Sequence, residues 1–174
     1  MNIVQPVTSV DPAHFRRVMG RFASGVTIIV AEVSGDVRGM TANAFMSGSL
    51  EPPLCIVSVA KRAHMHDHLI AARRFSVNML AAGQEALATH FAGRPVAGLS
   101  VQFGSVDGVP VIGGTTGLIT AELDAQHDCG DHTVFIGRII AMTANERPPL
   151  LYHASRFAAL VPLREESPSL PEFW

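Results

Sequence analysis

Two cysteines, Cys55 and Cys129, are all that 174 residues contain. They cannot form a disulfide framework, so a cytoplasmic, reducing home is the default expectation. No apolar run approaches the roughly 18 residues of a membrane-spanning helix. The opening MNIVQPVTSVDPAHF lacks a basic n-region and an apolar h-region, and does not read as a signal peptide. Charge is scarce as well. Charged residues are 16% of the chain and the formal net charge is -2, where about 25% charged is usual. The cations come as isolated pairs, Arg16–Arg17, Lys61–Arg62 and Arg73–Arg74. That excludes a basic footprint for nucleic acid or an anionic membrane. No P-loop, G-x-S-x-G or G-x-G-x-x-G is present. The run GGTTG at 113–117 has the wrong spacing and reads as a loop.

What is abundant is apolar: 48% of the residues. The surplus points to oligomer burial or to a cofactor cleft, because large apolar patches on a monomer tend to mark interfaces. The length suits one domain with a real core. Its expected extent is 1–162, with 163–174 as a tail. That tail, rich in Pro and Glu and ending in Phe173–Trp174, reads as an extended arm or a disordered segment.

Asp11–Pro12 reads as an N-cap and first helical position. Phe15, Val18, Met19 and Phe22 recur at helical spacing and predict a helix over 12–23 that Gly25 ends. Strands are expected at 26–33, 37–40, 54–59, 75–80, 118–127 and 133–141. Ser34–Asp36 is a turn, and 128–131 closes a long hairpin. Helices are expected at 65–72 and 84–91. Many strands, few helices and short turns predict a mainly β fold, an antiparallel β-barrel with peripheral helices.

Three segments are suited to chemistry. In GMTANAFMSGSLEPPL (39–54), Thr41, Ala42, Asn43 and Ala44 are small or polar. Small side chains let backbone approach a planar ring, and Asn and Thr add hydrogen-bonding groups; by spacing alone an ordinary β-connection with Asn in a turn is the favoured explanation. In SVAKRAHMHDHL (58–69), Ser58, Lys61 and Arg62 precede a helix start. That arrangement suits a phosphate or is a solvated charged loop. His64, His66 and His68 lack the Glu of a zinc helix, so no metal site is expected. In HDCGDHTVFIGRI (127–139), Gly130–Asp131–His132 heads a strand. His132 there suits a nicotinamide contact, charge stabilisation, a metal shared with Cys129 and His127, or a bond that holds the turn.

Taken in order, FRRVMGRFASGVTIIVA, GMTANAFMSGSLEPPLCIVSV, FSVNML, FAG, GDHTVFIGRI and PLLYHASRF resemble the short-chain flavin reductase family. These are the reductase components of two-component flavin-dependent monooxygenases. The resemblance covers roughly residues 12–160. It implies a split barrel that binds FAD or FMN, with FAD slightly ahead, in a homodimer with the flavin near the interface. It implies that NADH, less often NADPH, donates hydride, and that reduced flavin passes to a separate oxygenase. Met40–Ala44 would lie along the isoalloxazine edge. Ser58, Arg62, Ala63 and His64 match the phosphate turn. Phe91 and Gly93 match a helix end over the ribityl or phosphate region. His132, beside Asp131, matches the nicotinamide site, and Phe22 and Tyr152 match the reduced-cofactor pocket. The chain departs from many members at Ala44, where Ser is frequent, and at Ala63–His64, where Ser or Thr is frequent. The competing expectation is a non-enzymatic flavin- or metal-binding split barrel.

Overall fold

A computed structural model describes residues 10–161; the expected tail at 163–174 lies outside them. The chain opens with helix α1 (Pro12–Met19). Asp11 caps it, its carboxylate accepting from the N–H groups of Ala13 and His14. The helix stops short of the expected residue 23. The next N–H groups bond three residues back, Arg21 to the Val18 carbonyl and Phe22 to the Met19 carbonyl, a tighter turn that ends the helix and leaves Phe22 outside it.

The strands are β1 (Ser24–Gly25), β2 (Thr27–Val33), β3 (Asp36–Ala42), β4 (Phe45–Ser49), β5 (Leu54–Ala60), β6 (Arg74–Met79), β7 (Phe103–Val106), β8 (Val109–Ile112), β9 (Gly117–Cys129), β10 (His132–Ala144), β11 (Leu150–His153) and β12 (Arg156–Ala159). Helices α2 (His64–Ala72) and α3 (Glu85–Phe91) complete the order. Seven strands form one antiparallel sheet in the order β3-β2-β6-β9-β10-β5-β4. Its outer strands, β3 and β4, are joined by Asn43 and Ala44 alone. In a flat sheet, six spacings of about 4.8 Å would hold the two edges near 29 Å apart, whereas so short a link reaches only about 11 Å. The sheet therefore rolls until its edges meet. The result is a split antiparallel β-barrel whose seam is the Asn43–Ala44 link, with the helices outside it. The Ser58 N–H donates to the Ala44 carbonyl at 3.1 Å, which holds the seam against β5.

Strand β2 shows why the apolar run Val26–Val30 does not alternate with polar residues. Ile29 and Ala31 face the barrel interior with Cys55, Val57, Phe75 and Phe135. Val26, Ile28 and Val30 face a second core with Leu80, Ala88, Ile112 and Leu150. Both faces of the strand are covered, so both need apolar side chains. Ser76 and Asn78 of β6 are buried and fully used. Asn78 Nδ2 donates to the Ile28 carbonyl, its Oδ1 accepts from the Ile112 N–H at 2.7 Å, and Ser76 Oγ donates to the Pro110 carbonyl. These bonds fasten the β7–β8 hairpin to the barrel. Helix α2 plugs one end with Met65 and Leu69, and His68 Nε2 donates to the carbonyls of Ala31 and Asp36.

Three corrections to the sequence reading follow. The second strand runs on to Ala42, so Thr41 and Ala42 are strand residues rather than connection. Residues 45–49, read as part of a loop, form the edge strand β4. The hairpins β7–β8 and β11–β12 were not anticipated. These strands are only four residues long, too short for a periodic signal, and each exists because a partner strand completes it.

Candidate functional site

Three clefts lie near the seam, two of them lined by Asn43. One, of about 410 Å³, brings Met40 and Thr41 of β3 against Ala63 and His64 at the start of α2 and Phe91 and Gly93 at the end of α3. A second, of about 560 Å³, holds Thr41, Ala42, Asn43 and Tyr152 beside Ala88 and Thr89 of α3. A third, of about 380 Å³, holds Phe22 and Asn43. All fall in the range of small-molecule sites. Thr41 and Ala92 line both of the first two, so those clefts are neighbours across one wall. That wall is pinned: Thr41 Oγ1 donates to the Ala88 carbonyl at 2.7 Å.

The seam and the start of α2 offer unused donors. Among the described residues, the N–H groups of Asn43 and Ala44 have no acceptor in the protein, and both residues are exposed. The N-cap of α2, Ala63, provides no side-chain bond, and the N–H groups of His64 and Met65 also donate to nothing among the described residues. Orphan donors at a helix start favour an anion. A planar ring edged by carbonyls at the seam, and a phosphate at the start of α2, are the ligand parts that these groups fit.

The remaining expected residues gather elsewhere. His132 begins β10 opposite Ala60, next to the turn after β5. Its Nδ1 donates to Asp131 Oδ1 at 2.8 Å. This bond, the imidazole's charge and the nearby Arg62 hold the Asp131 carboxyl below its ordinary 3.8. The Asp131 carbonyl accepts from the Lys61 N–H, and Lys61 Nζ pairs with Asp128 at 3.1 Å. Ser58, Arg62, Asp131 and His132 therefore form a group at the end of β5 and β10, outside the three clefts. Ser58 connects that group to the seam through its bond to Ala44.

The three histidines of α2 go to different places. His64 lines the first cleft. His66 bonds Asp67 and meets Thr133 Oγ1 at 2.9 Å, and His68 is buried against backbone carbonyls. Among the described residues no three His, Cys, Asp or Glu side chains gather at one point. Sequence reasoning missed Arg94, Arg156 and Phe157, which line the second cleft. Arg94 follows the noted FAG segment directly, a usable signal. Arg156 and Phe157 lie within the noted PLLYHASRF segment, but only the pairing of β12 with β11 brings them to the cleft.

A rolled, split sheet with ring-edge donors at its seam and an uncapped helix start beside it defines a class, the flavin-binding split barrels. Within that class the assignment is specific. The family model described as "Flavin reductase like domain" matches residues 19–160, and the chain belongs to that family. It is 40% identical to the reductase component of 4-hydroxyphenylacetate 3-monooxygenase from Thermus thermophilus, over 84% of this chain and 95% of that protein. It is 38% identical to an NADH-dependent FAD reductase from Streptomyces globisporus, over 94% and 96% of the two. The solved structure of flavin reductase PheA2 in its native state superposes with a TM-score of 0.85 at 38% identity, covering 88% of this chain and 100% of that one.

Proposed function

We propose that this chain is an NADH-dependent flavin reductase that reduces FAD or FMN by hydride transfer and supplies the reduced flavin to a separate oxygenase. The observation that carries the reading is the pair of unpartnered N–H groups of Asn43 and Ala44 at the seam, with Asn43 lining two adjoining clefts. The relatives named above support it. A bound flavin supplies the hydride-accepting ring.

The chain's own residues do the rest. Met40–Ala44 hold the ring edge, with Asn43 and Ala44 donating from backbone fixed in place beforehand. Ala44 brings no hydroxyl, so backbone carries the bonding there. His64, Ala63 and the start of α2 receive the phosphate, with Ser58 and Arg62 behind them. Phe91 and Gly93 close over the ribityl side. His132, steadied by Asp131, positions the nicotinamide, and Phe22 and Tyr152 flank its approach. Holding both partners in one orientation makes a bimolecular encounter effectively unimolecular.

The reading includes a homodimer. Phe15, Val18 and Met19 of α1 are each more than half exposed, and covering them against a second copy removes that apolar surface from water. It also places the protein in the cytoplasm, where an exposed thiol such as Cys129 stays reduced and NADH is at hand. No helix among the described residues is long and apolar enough to cross a membrane.

The test is direct. Purified protein given FAD or FMN is expected to oxidise NADH, followed at the nicotinamide absorbance band, and to release flavin that a separate oxygenase consumes. Absence of NADH oxidation with either flavin refutes the reading.

A further inference from the structure

One side chain outside the three clefts ties the first turn of α2 to the barrel. His66 stands at the third position of that helix. Its Nε2 lies 2.9 Å from Thr133 Oγ1 on β10, and its Nδ1 lies 2.8 Å from Asp67 Oδ1. A carboxylate only accepts, so Nδ1 carries the proton; in the neutral ring Nε2 then accepts from the Thr133 hydroxyl. The imidazole meets the Phe135 ring edge to face, with centroids 5.5 Å apart and planes at 66°. Its side chain is only 14% exposed. Among the described residues, the bond to Thr133 is the one side-chain hydrogen bond from residues 64–67 to the sheet.

The clasp borders the free donors of the helix start. The N–H groups of His64 and Met65 belong to the same turn and have no acceptor among the described residues, and Ala63 supplies no side-chain cap. Such groups hold an anion best when their backbone is fixed before the anion arrives. The buried face of α2 is already anchored, with Met65 and Leu69 in the core and His68 on the carbonyls of Ala31 and Asp36. Those contacts keep the helix in place, and His66 adds the tie from its first turn to β10. Thr133 pairs with Val59 of β5, and β5 leads through residues 61–63 into α2. The bond between His66 and Thr133 therefore closes strand, turn and helix start into one ring. Asp67 gives the imidazole a second task. It is an acidic residue in the first turn, where a carboxylate is itself attracted to free N–H groups. The bond to His66 Nδ1 engages that carboxylate and leaves those groups to a phosphate.

We propose that His66 is a positioning residue for the flavin phosphate: by bonding Thr133 and Asp67 it fixes the first turn of α2 and keeps the N–H groups of His64 and Met65 open to that phosphate. The inference rests on the flavin reductase reading and deepens it. His66 does not touch the ligand; it acts through the helix start. The ring and ribityl parts of the flavin are held on that reading by Met40–Ala44, Phe91 and Gly93, so their binding does not depend on His66.

FMN and riboflavin differ by the phosphate alone, so the ratio of their affinities is the measurement. Dissociation constants for both are taken by fluorescence titration on the unaltered full chain, His66→Ala, Thr133→Val and Thr133→Ser, with thermal unfolding of each. The unaltered chain is expected to bind FMN about tenfold tighter than riboflavin, through charge-assisted bonds to the phosphate. His66→Ala and Thr133→Val are each expected to weaken FMN about fivefold and riboflavin less than about twofold, the loss of one hydrogen bond felt at the phosphate. Thr133→Ser keeps the hydroxyl and is expected to bind FMN as the unaltered chain does. Equal weakening of FMN and riboflavin, or a lower Tm with the ratio unchanged, makes the clasp merely structural and overturns the inference. So does Thr133→Ser behaving like Thr133→Val. Each of these results leaves the reductase reading standing. An unaltered protein that binds neither flavin and oxidises no NADH overturns both.

Discussion

Thr41 Oγ1 donates to the carbonyl of Ala88 at 2.7 Å, joining the edge strand of the barrel to the middle of α3. That single bond sets the wall that two clefts share. Thr41→Val keeps the shape and removes the donor. The Ala88 carbonyl still accepts from the Ala92 N–H at 3.1 Å, so it is not orphaned. The expected cost is about 1 kcal/mol of stability, measured by urea unfolding, together with weaker flavin binding. Flavin affinity equal to that of the unaltered chain would separate this wall from the site.

Gly39 leaves room for Phe91. A Cβ at Gly39 would lie 2.6 Å from two carbons of the Phe91 ring, and Phe91 lines the first cleft. Gly39→Ala is expected to cost about 1–3 kcal/mol through overpacking and to weaken flavin binding. Adding Phe91→Leu is expected to restore stability in part, because the collision is with that ring. A double variant no more stable than Gly39→Ala alone would place the clash elsewhere.

His132→Ala is expected to raise KM for NADH several-fold and to leave the flavin dissociation constant nearly unchanged. Loss of flavin binding with unaltered NADH handling would refute the assignment. The same variant tests the pair with Asp131, whose carboxyl is held below 3.8 chiefly by the bond to His132. A depressed carboxyl favours the folded state above its ordinary pKa, and that contribution is lost as pH falls through the folded value. In the variant the Asp131 carboxyl is expected to titrate closer to 3.8, read by carbon NMR.

The two thiols are expected to behave differently. Cys55 is buried in the barrel, and burial pushes its thiol from 9.0 to about 11. Cys129 is exposed on the β9–β10 hairpin. A thiol reagent at mildly alkaline pH is expected to label one site per chain in the native protein and two after denaturation. The raised value also sets a pH dependence. The buried thiol costs no stability below about 9, and its contribution falls as pH rises from 9 toward 11, where the unfolded chain has already lost the proton. Labelling of Cys55 at the rate of Cys129 in the native state would contradict its burial.

Val18→Asp on α1 is expected to shift the protein from dimer to monomer in light scattering, since Val18 is 53% exposed between Phe15 and Met19. Circular dichroism checks that the variant folds at this exposed position. A dimer that survives this charge would place the interface off α1.

Much of the fold was legible where a local rule dominates. Asp11–Pro12 marked a helix start because a carboxylate cap and a fixed φ act within four residues. The β9–β10 hairpin was legible because long apolar strands flank a short turn. The edges were not. Residues 45–49 carry Ser and Gly on an exposed strand, and only the ladder to β5 makes them one. Likewise Phe22 falls at helical spacing, yet its N–H bonds three residues back to the Met19 carbonyl in the turn that ends the helix.

The sequence by itself determined the class of chain: mainly antiparallel β, sparing in charge, with a small-residue segment at 41–44, a basic turn before α2 and the G-D-H-T head of β10. Those are local properties of composition, periodicity and motif. The tertiary structure decided that the small-residue segment is the seam of a rolled barrel, that clefts lie beside it, and that Arg156 faces the second of them. These depend on which strand lies beside which, and strand pairing joins residues far apart in the chain through backbone groups that every residue has alike.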